Sequence, residues 1–369
     1  MRSRMGKKVK QKTISVPVLY DQQHRLHAPL YEYDRGLKTP YQEVPPRADH
    51  VLVALQELDW VKVLPPLKEE TMNVEELFAV HDPALINHLR ESSDLAGLQE
   101  LDHPHLAPVY HYPWIFPVRN EMMRGLLGSE EKSGCFAFDT YSPIGKHTWS
   151  AVLGSARLAW QGAGLILAGE KLVYAICRPP GHHAGPDCIG GYCYLNNASL
   201  AASRLLALGP GAIVDIDYHH GNGTQEIFWN NPNVLTISIH ADPADEYPYF
   251  SGFAEETGGE DAKGANINIP LSKNCMDADY LQGLELAMNA LKNFTPHISW
   301  LVLSAGFDTS MEDPTCFFQL SDPVYEEIGR RIGSLGIPTL VVQEGGYALN
   351  KNGELAARLL QGLHAKADE

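Results

Sequence analysis

Apolar and polar positions alternate along the chain with two different periods from about residue 150 onward. Short runs rich in Val, Ile and Leu indicate strands buried on both faces, and they alternate with longer stretches of helical periodicity. The predicted strands are LVYAIC, AIVDIDY, VLTISIHA, ISWLVLSAGFD and TLVVQEGG, and the predicted helices are NASLAASRLLAL, TQEIFW, DADYLQGLELAMNALKNF, PVYEEIGRRIGSLG and ELAARLLQGLHA. This alternation predicts an α/β fold in which helices cover both faces of a mostly parallel sheet.

The first third of the chain is less regular. RADHVLVALQELDW (47–60) and VEELFAVHDPALINHLRES (74–92) predict two amphipathic helices. In the later helix that begins DADYLQ, we expect Asp277 to be the N-cap. The stretch between His103 and Gly134 is rich in proline and aromatic residues, and a loop of this length is usually functional or contacts a partner. We expect residues 1–13 to be a flexible basic tail and residues 14–369 a single domain.

Composition narrows the class of protein. The chain has 369 residues, of which 44% are hydrophobic, so it can bury a large core. Its formal net charge of -16 argues against nucleic-acid binding, which needs a basic face. No apolar run is long enough to span a bilayer. Six cysteines without a CxxC pair predict reduced thiols. We therefore expect a cytoplasmic protein without a nucleic-acid or membrane partner.

Polar clusters follow four of the predicted strands at the point where each strand ends. They are CRPPGHHAG, DIDYHHGNG, SAGFDTS and QEGGYAL. Taken singly, each is ordinary, since such pairs usually form turns or hydrogen-bonded core positions. In a parallel sheet, however, ligands bind beyond the carboxyl ends of the strands. Four clusters at one sheet edge therefore predict a functional site.

Three of these residues form a candidate metal site. Asp217 and His219 lie two positions apart at a strand end and therefore point the same way. Asp308, at the end of a neighbouring strand, would be the third ligand. Two carboxylates and one imidazole with an open position are typical of catalytic zinc, although these ligand types suit iron(II) or cobalt as well. Asp215, one step deeper on the same face, is placed to orient an imidazole.

Other catalytic signatures are absent from the sequence. It contains no G-x-S-x-G elbow, no H-E-x-x-H pair and no P-loop. The motifs that are present, RPPGHHAG, GGYCYLNNA, DIDYHHGNGTQ, SAGFD and EGGY, resemble the zinc deacetylase branch of the arginase–deacetylase superfamily. The resemblance covers residues 15 to 365, and YCYLNNASLAA, HADPADEYPYFSGFAEETG and PLYEYDRG resemble bacterial acetylpolyamine amidohydrolases, which are relatives of histone deacetylases. It implies a single-domain arginase–deacetylase fold with a central eight-stranded sheet.

The resemblance also implies a role for each residue of the candidate centre. Asp217, His219 and Asp308 would bind one zinc ion, His183 would be the general base and acid, and His182 would assist electrostatically. Asp215 would hydrogen-bond to His182, Asn222 would hydrogen-bond to His183, and Tyr347 would donate its hydroxyl to the oxyanion. A structural potassium ion would contact Asp215, Asp217, His219, Ser238 and Ile239. The two-manganese arginase branch needs further carboxylates at positions that are Gly221 and Gly306 here.

The implied substrate is a small cationic acetylated amine. Tyr192 and Tyr247 would wall a tunnel, and Gly191 would accept a hydrogen bond from the amide. Glu32 and Glu130 would attract a distant ammonium group, whereas Tyr141 stands where the family has another acid. An inserted loop at about 104–134 would join two subunits of a homodimer and narrow the tunnel. We expect hydrolysis of acetylputrescine or acetylcadaverine; acetyl-lysine deacylation and a catalytically dead acyl-amine binder are the alternatives.

Overall fold

The computed structural model describes residues 15–66, 68, 72–115 and 132–365, and its centre is an eight-stranded sheet. Every strand pair in this sheet is parallel. Across the sheet the strands are β10 (Asn266–Leu271), β9 (Val234–Ala241), β8 (Gly211–Asp215), β11 (Leu301–Ala305), β12 (Thr339–Gln343), β7 (Leu172–Ala175), β1 (Val16–Leu19) and β4 (Val61–Leu64). The predicted eight-stranded α/β architecture is confirmed.

Helices cover both faces of the sheet. In the described part of the chain they are α1 (Pro46–Gln56), α2 (Pro83–Asp102), α3 (Thr148–Leu167), α4 (Asn197–Leu205), α5 (Asn222–Phe228), α6 (Asp277–Asn293), α7 (Asp322–Gly333) and α8 (Asn352–His364). Alternate strand residues enter different cores: Val214 of β8 packs in the core that contains α1, α6, α7 and α8. Its neighbour Ile213 packs with α3 and α4. The strands are therefore apolar on both sides, as the sequence pattern predicted.

Smaller elements complete the described structure. Two antiparallel pairs, the hairpin β2 (Tyr31–Asp34) with β3 (Leu37–Pro40) and the pair β5 (Tyr110–His111) with β6 (Ile144–Gly145), lie outside the main sheet. The 3-10 helices are Gln22–Leu26, Val74–Ala79, Pro104–Leu106, Lys132–Cys135, Leu206–Leu208 and Glu260–Ala262. None of the helices in the described ranges has both the length and the apolar character that crossing a bilayer demands. All six cysteines lie in these ranges as free thiols.

The single helix predicted for residues 74–92 is wrong. The chain forms the 3-10 helix Val74–Ala79, breaks, and begins α2 at Pro83. Proline lacks an N–H and restricts the residue before it, so it suits the first turn of a helix and not its interior. Asp82 caps the new helix, because its carboxylate accepts a hydrogen bond from the Ala84 amide at 2.7 Å.

Asp277 is not the N-cap that the sequence suggested. It is the first residue of α6, and Met276 precedes it as the cap. The Asp277 carboxylate instead accepts hydrogen bonds from the Ser321 amide at 2.9 Å and the Ser321 hydroxyl at 2.6 Å. It therefore ties the start of α6 to the start of α7. Asp279 bonds back to the cap, accepting from the Met276 amide.

Candidate active site

Two strand ends bring the predicted metal ligands together. Asp217 and His219 follow β8, and Asp308 follows the adjacent strand β11. One ligand atom from each of the three lies within 4.8 Å of the others. His219 Nδ1 is 3.0 Å from Asp308 Oδ2 and 3.4 Å from Asp217 Oδ1. The two aspartates are buried, and the imidazole is slightly more exposed.

The charges in this cluster favour a cation. Burial and the neighbouring Asp217 carboxylate raise the pKa of Asp308 to about 7. Burial disfavours a charged His219, but its hydrogen bonds to the two carboxylates outweigh that effect and raise its pKa to about 10. Without a metal ion, protons on Asp308 and His219 offset the negative charge of this cluster. A divalent metal ion would supply the positive charge instead, and the donor set of two carboxylates and one imidazole fits it.

Glycines leave room for this arrangement. A Cβ at Gly306 would lie 1.9 Å from Asp217 Oδ2, and one at Gly345 would lie 2.6 Å from the same atom. At Gly221 a Cβ would lie 2.4 Å from Asp215 Oδ2. The positions where the arginase branch has additional carboxylates therefore have no space for any side chain. This packing is consistent with a single divalent ion.

A second buried group, His182, Cys193 and Glu344, also meets simple distance criteria for metal binding. Its chemistry does not fit a metal. Burial and the Glu344 carboxylate raise the pKa of the Cys193 thiol well above its ordinary value, whereas a metal needs the thiolate. One oxygen of Glu344 already accepts hydrogen bonds from the Gly181 and His182 amides at 2.7 and 3.1 Å. This cluster therefore stabilises the turn at His182.

The pKa values of the two adjacent histidines are shifted in opposite directions. His183 Nδ1 lies 2.7 Å from Asn222 Oδ1, and Asn222 Nδ2 donates to the His183 carbonyl, so the amide oxygen is the acceptor from the ring. Burial and the neighbouring His182 and His219 rings lower the pKa of His183 well below its usual value. The ring is therefore neutral, with the Nε2 lone pair available to accept a proton.

His182 has a carboxylate behind its ring. Its Nδ1 lies 2.9 Å from Asp215 Oδ2. Burial disfavours the charge, but the Asp217 and Asp215 carboxylates outweigh it and raise the pKa of His182 well above the ordinary histidine value. The ring centroids of His182 and His183 are 4.0 Å apart. The two imidazoles, whose pKa values are shifted in opposite directions, therefore lie side by side.

Tyr347 lies on the turn that follows β12. The amides of Tyr347 and Ala348 both donate to Asp313 Oδ2, at 2.5 and 3.0 Å, which fixes the turn. Arg47 packs against the phenol face with Cζ 4.7 Å from the ring centroid. Burial raises the pKa of Tyr347 well above its ordinary value, so its hydroxyl remains a donor.

Sequence reasoning missed Arg47 and its partners. This fully buried guanidinium donates to the Glu344 and Gly346 carbonyls on the tyrosine turn and to the Glu43 carboxylate. One signal was present in the sequence. A basic residue in the first turn of a helix interacts unfavourably with the helix dipole, so its presence there indicates some other stabilising contact. Asp313 carried no comparable signal.

The predicted wall residues surround the histidines. The Tyr247 ring centroid is 5.0 Å from that of His183. Gly191 has φ +53°, and a Cβ there would lie 2.4 Å from His183 Cδ2, so only glycine fits. Sequence reasoning missed Asp139, whose Oδ2 accepts from the Gly191 amide at 2.8 Å and the Tyr247 hydroxyl at 2.6 Å. The Asp139 carboxylate therefore holds both Gly191 and Tyr247 in position.

Glu32 lies inside the same cavity, which measures about 360 Å³ and is also lined by Tyr192, Tyr347 and His183. It is only 4% exposed, so it is not a solvated surface acid. The Tyr192 hydroxyl donates to Glu32 Oε2 at 2.9 Å. Burial raises the pKa of Glu32 to about 7 despite this hydrogen bond.

Two other predicted contacts have different outcomes. Glu130, the second predicted acid, lies outside the described residues. Ser238 pairs with Asp215 across β9 and β8, and Ile239 follows it on β9, so these two residues adjoin the site where potassium was predicted. The Ser238 hydroxyl itself bonds to His240 Nδ1 at 2.7 Å. The potassium ion stays a prediction.

Comparison with known proteins agrees with this geometry. The chain matches the histone deacetylase domain family over residues 41–363 and belongs to that family. It is 38% identical to acetylpolyamine amidohydrolase 2 of Pseudomonas aeruginosa, with 94% of this chain and 98% of the relative covered. It is 36% identical to the acetylpolyamine amidohydrolase of Mycoplana ramosa, covering 94% and 99%.

A solved structure is similar throughout its length. The acetylpolyamine aminohydrolase of Burkholderia pseudomallei superposes with a TM-score of 0.87 at 33% identity, covering 95% of this chain and 99% of that one. The family resemblance read from the motifs is therefore confirmed, and the chain is a hydrolase of the deacetylase class that acts on acetyl amides. The family is metal-dependent, and the cluster at Asp217 is a candidate for its ion.

Proposed function

We propose that this protein hydrolyses the acetyl amide of N-acetylated polyamines to acetate and the free amine. The observation that carries the proposal is the buried Glu32 carboxylate, which shares one cavity with His183, His219 and Tyr347. An acid at the mouth of a deacetylase cavity would attract an ammonium group away from the reacting amide. The names of the relatives, acetylpolyamine amidohydrolases, support the same substrate class.

In this proposal Asp217, His219 and Asp308 hold one zinc ion, with iron(II) or cobalt as alternatives of the same ligand preference. Zinc would supply Lewis-acid chemistry, polarising the acetyl carbonyl and acidifying water. A potassium ion beside Asp215 and Ser238 would be structural. Metal analysis of protein purified without added metal tests both ions.

The side chains around the centre perform the proton transfers. His183 Nε2 takes the proton of the attacking water as its oxygen bonds to the acetyl carbon, and Asn222 fixes the tautomer that allows this. Tyr347 donates its hydroxyl to the developing oxyanion, and His182 assists electrostatically. As the C–N bond breaks, His183 returns the proton to the leaving amine. Gly191 would accept the amide N–H, between Tyr192 and Tyr247.

Acetate release from N-acetylputrescine and N-acetylcadaverine tests the activity. We expect turnover that a metal chelator removes and added zinc restores. Acetyl-lysine deacylation is the second candidate, because the chain belongs to the histone deacetylase domain family. An acetyl-lysine peptide and a folded acetylated protein are therefore assayed in parallel. Equal efficiency on the folded protein would contradict the small-amine proposal, and no turnover by metal-loaded protein would indicate a dead binder.

We further propose that the insertion at about 104–134 joins two subunits and narrows the tunnel. Of this segment, residues 104–115 and 132–134 are described. Leu101, just before the segment, and Trp114, within it, are 79% and 64% exposed, and large exposed apolar side chains often mark interfaces. Sedimentation of the wild type and of Leu101→Asp tests this: a wild-type monomer would contradict it. The cytoplasmic location and the flexible tail 1–13 stay predictions.

A further inference from the structure

The hairpin β2–β3 has two chemically different faces. Glu32 and Asp34 are two residues apart on β2, so their side chains share a face, and both line the cavity above His183. Tyr31 and Tyr33 occupy the other face, with ring centroids 5.8 Å apart. Of the two hairpin cations, Lys38 lies on that other face, where Nζ is 3.5 Å from the Tyr31 ring centroid, and Arg35 is exposed in the turn. The cavity face of the hairpin is thus anionic.

Each of the two acids is oriented by a tyrosine and keeps an oxygen free for a ligand. Tyr192 donates to Glu32 Oε2 at 2.9 Å, and Tyr141 donates to Asp34 Oδ1 at 2.8 Å. In the described residues, Glu32 Oε1 and Asp34 Oδ2 take part in no hydrogen bond. Tyr141 stands where the family has an acid, and here it orients the carboxylate of Asp34 on β2.

Neither acid has a cationic side chain as its partner within the described part of the chain. A third carboxylate of the same cavity, Glu246, shows the contrast, because Lys273 Nζ lies 2.8 Å from its Oε1. Glu32 and Asp34 form no ion pair with any described cation. Two partly buried carboxylates without countercharges are costly unless a cationic ligand completes them.

We propose that Glu32 and Asp34 form a two-point anionic ruler, by which we mean that each carboxylate binds one ammonium group of the substrate. Their spacing would select acetylated triamines over acetylated diamines. This inference rests on the proposed deacetylase function. Residues two apart on a strand are separated by about 7 Å. Two nitrogens joined by four methylenes lie about 6 Å apart when the chain is extended. A secondary ammonium near Glu32 and a terminal ammonium near Asp34 would thus both be paired.

A matched substrate pair tests the ruler. N1-acetylspermidine carries both ammonium groups, whereas N-acetyl-1,3-diaminopropane is the same molecule without the aminobutyl arm. We expect the wild type to favour the triamine by about fivefold in kcat/KM, the size of a partly solvated ion pair. Asp34→Asn should abolish this preference by raising KM for the triamine, because the diamine has no ammonium group that reaches Asp34.

Controls separate charge from structure. Tyr141→Phe keeps the carboxylate and should retain most of the preference, and Asp34→Glu should restore part of it. Glu57→Gln removes an exposed acid elsewhere and should change nothing. Equal losses on both substrates in Asp34→Asn, or no wild-type preference while the diamine is hydrolysed, would overturn the ruler alone. No hydrolysis of any acetylated amine by zinc-loaded wild type would instead refute the proposed function, and the ruler with it.

Discussion

Different neighbours set the chemistry of two otherwise identical side chains, His182 and His183. His182 faces a carboxylate and His183 faces an amide, and their pKa values move in opposite directions. A neutral amide orients an imidazole without stabilising its charged form as a carboxylate would. The sequence HHAG alone gave no basis for this distinction. It follows from the residues that α5 and β8 place behind each ring.

Tyr347→Phe should isolate the oxyanion donor. The phenyl ring can keep its packing on Arg47 and Tyr192, so only the hydroxyl is lost. We expect kcat on N-acetylputrescine to fall by roughly 10²–10³-fold, the usual loss for one such donor. Metal content and melting temperature should stay as in the wild type. Tyr33→Phe on the outer hairpin face is the control, and a tenfold or smaller effect at Tyr347 would contradict the assigned role.

Glu32 should give substrate binding its own pH dependence. Burial raises the pKa of Glu32 to about 7, so the carboxyl gains its charge as pH rises through this value. Below about pH 7 it is protonated and no longer attracts an ammonium group. KM for N-acetylputrescine should therefore fall between pH 6 and 8.

The matched substrate for this experiment is N-acetylbutylamine, which lacks the ammonium. Its KM should show no corresponding fall, because titrations at the metal centre affect both substrates alike. Glu32→Gln should remove the difference between the two substrates at every pH. Parallel KM profiles in the wild type would show that Glu32 does not contact the ammonium.

Strand ends were the most predictable elements, because the signal needed no tertiary information. Asp217, His219 and Asp308 were assigned from strand periodicity and from the rule that ligands bind at carboxyl ends. Boundaries decided by a few side chains were less predictable. Pro83 divides a pattern that reads as one helix, and Asp277 bonds across to another helix rather than to its own.

Residues that act through distant segments could not be assigned from one sequence. Asp139 fixes Gly191 and Tyr247, which are 52 and 108 positions away along the chain. Arg47 bonds to the tyrosine turn about 300 positions away. Neither has a local motif, because its partners become neighbours only when the sheet has formed. Tertiary hydrogen bonds of this kind hold in place the residues that surround the candidate metal ligands and histidines.

Gly306→Ala should test how tightly β11 and β8 approach at the site. The added methyl would lie 1.9 Å from Asp217 Oδ2, too close for any contact, so the carboxylate must move. We expect substoichiometric metal and loss of activity. Gly97→Ala on α2 meets only Lys146 Cβ at 3.4 Å and is the control. Full metal occupancy in Gly306→Ala, measured by elemental analysis, would contradict this account.

At the scale of the whole molecule, we expect folding and metal binding to be coupled. The sheet order places β8 beside β11, so ligands 89 positions apart meet only in the folded chain. A ligand that binds the folded state alone stabilises it by mass action, by about 4 kcal/mol when its concentration is a thousand times Kd. The metal should therefore raise the melting temperature as well as the activity.

Titrating zinc into chelator-treated protein should raise the melting temperature by several degrees, with a midpoint that matches the recovery of activity. Asp308→Asn removes one of the three proposed ligands. The same variant should gain little on adding zinc. Equal zinc-induced shifts in the two proteins would place the stabilising ion at some site other than the one that Asp217, His219 and Asp308 form.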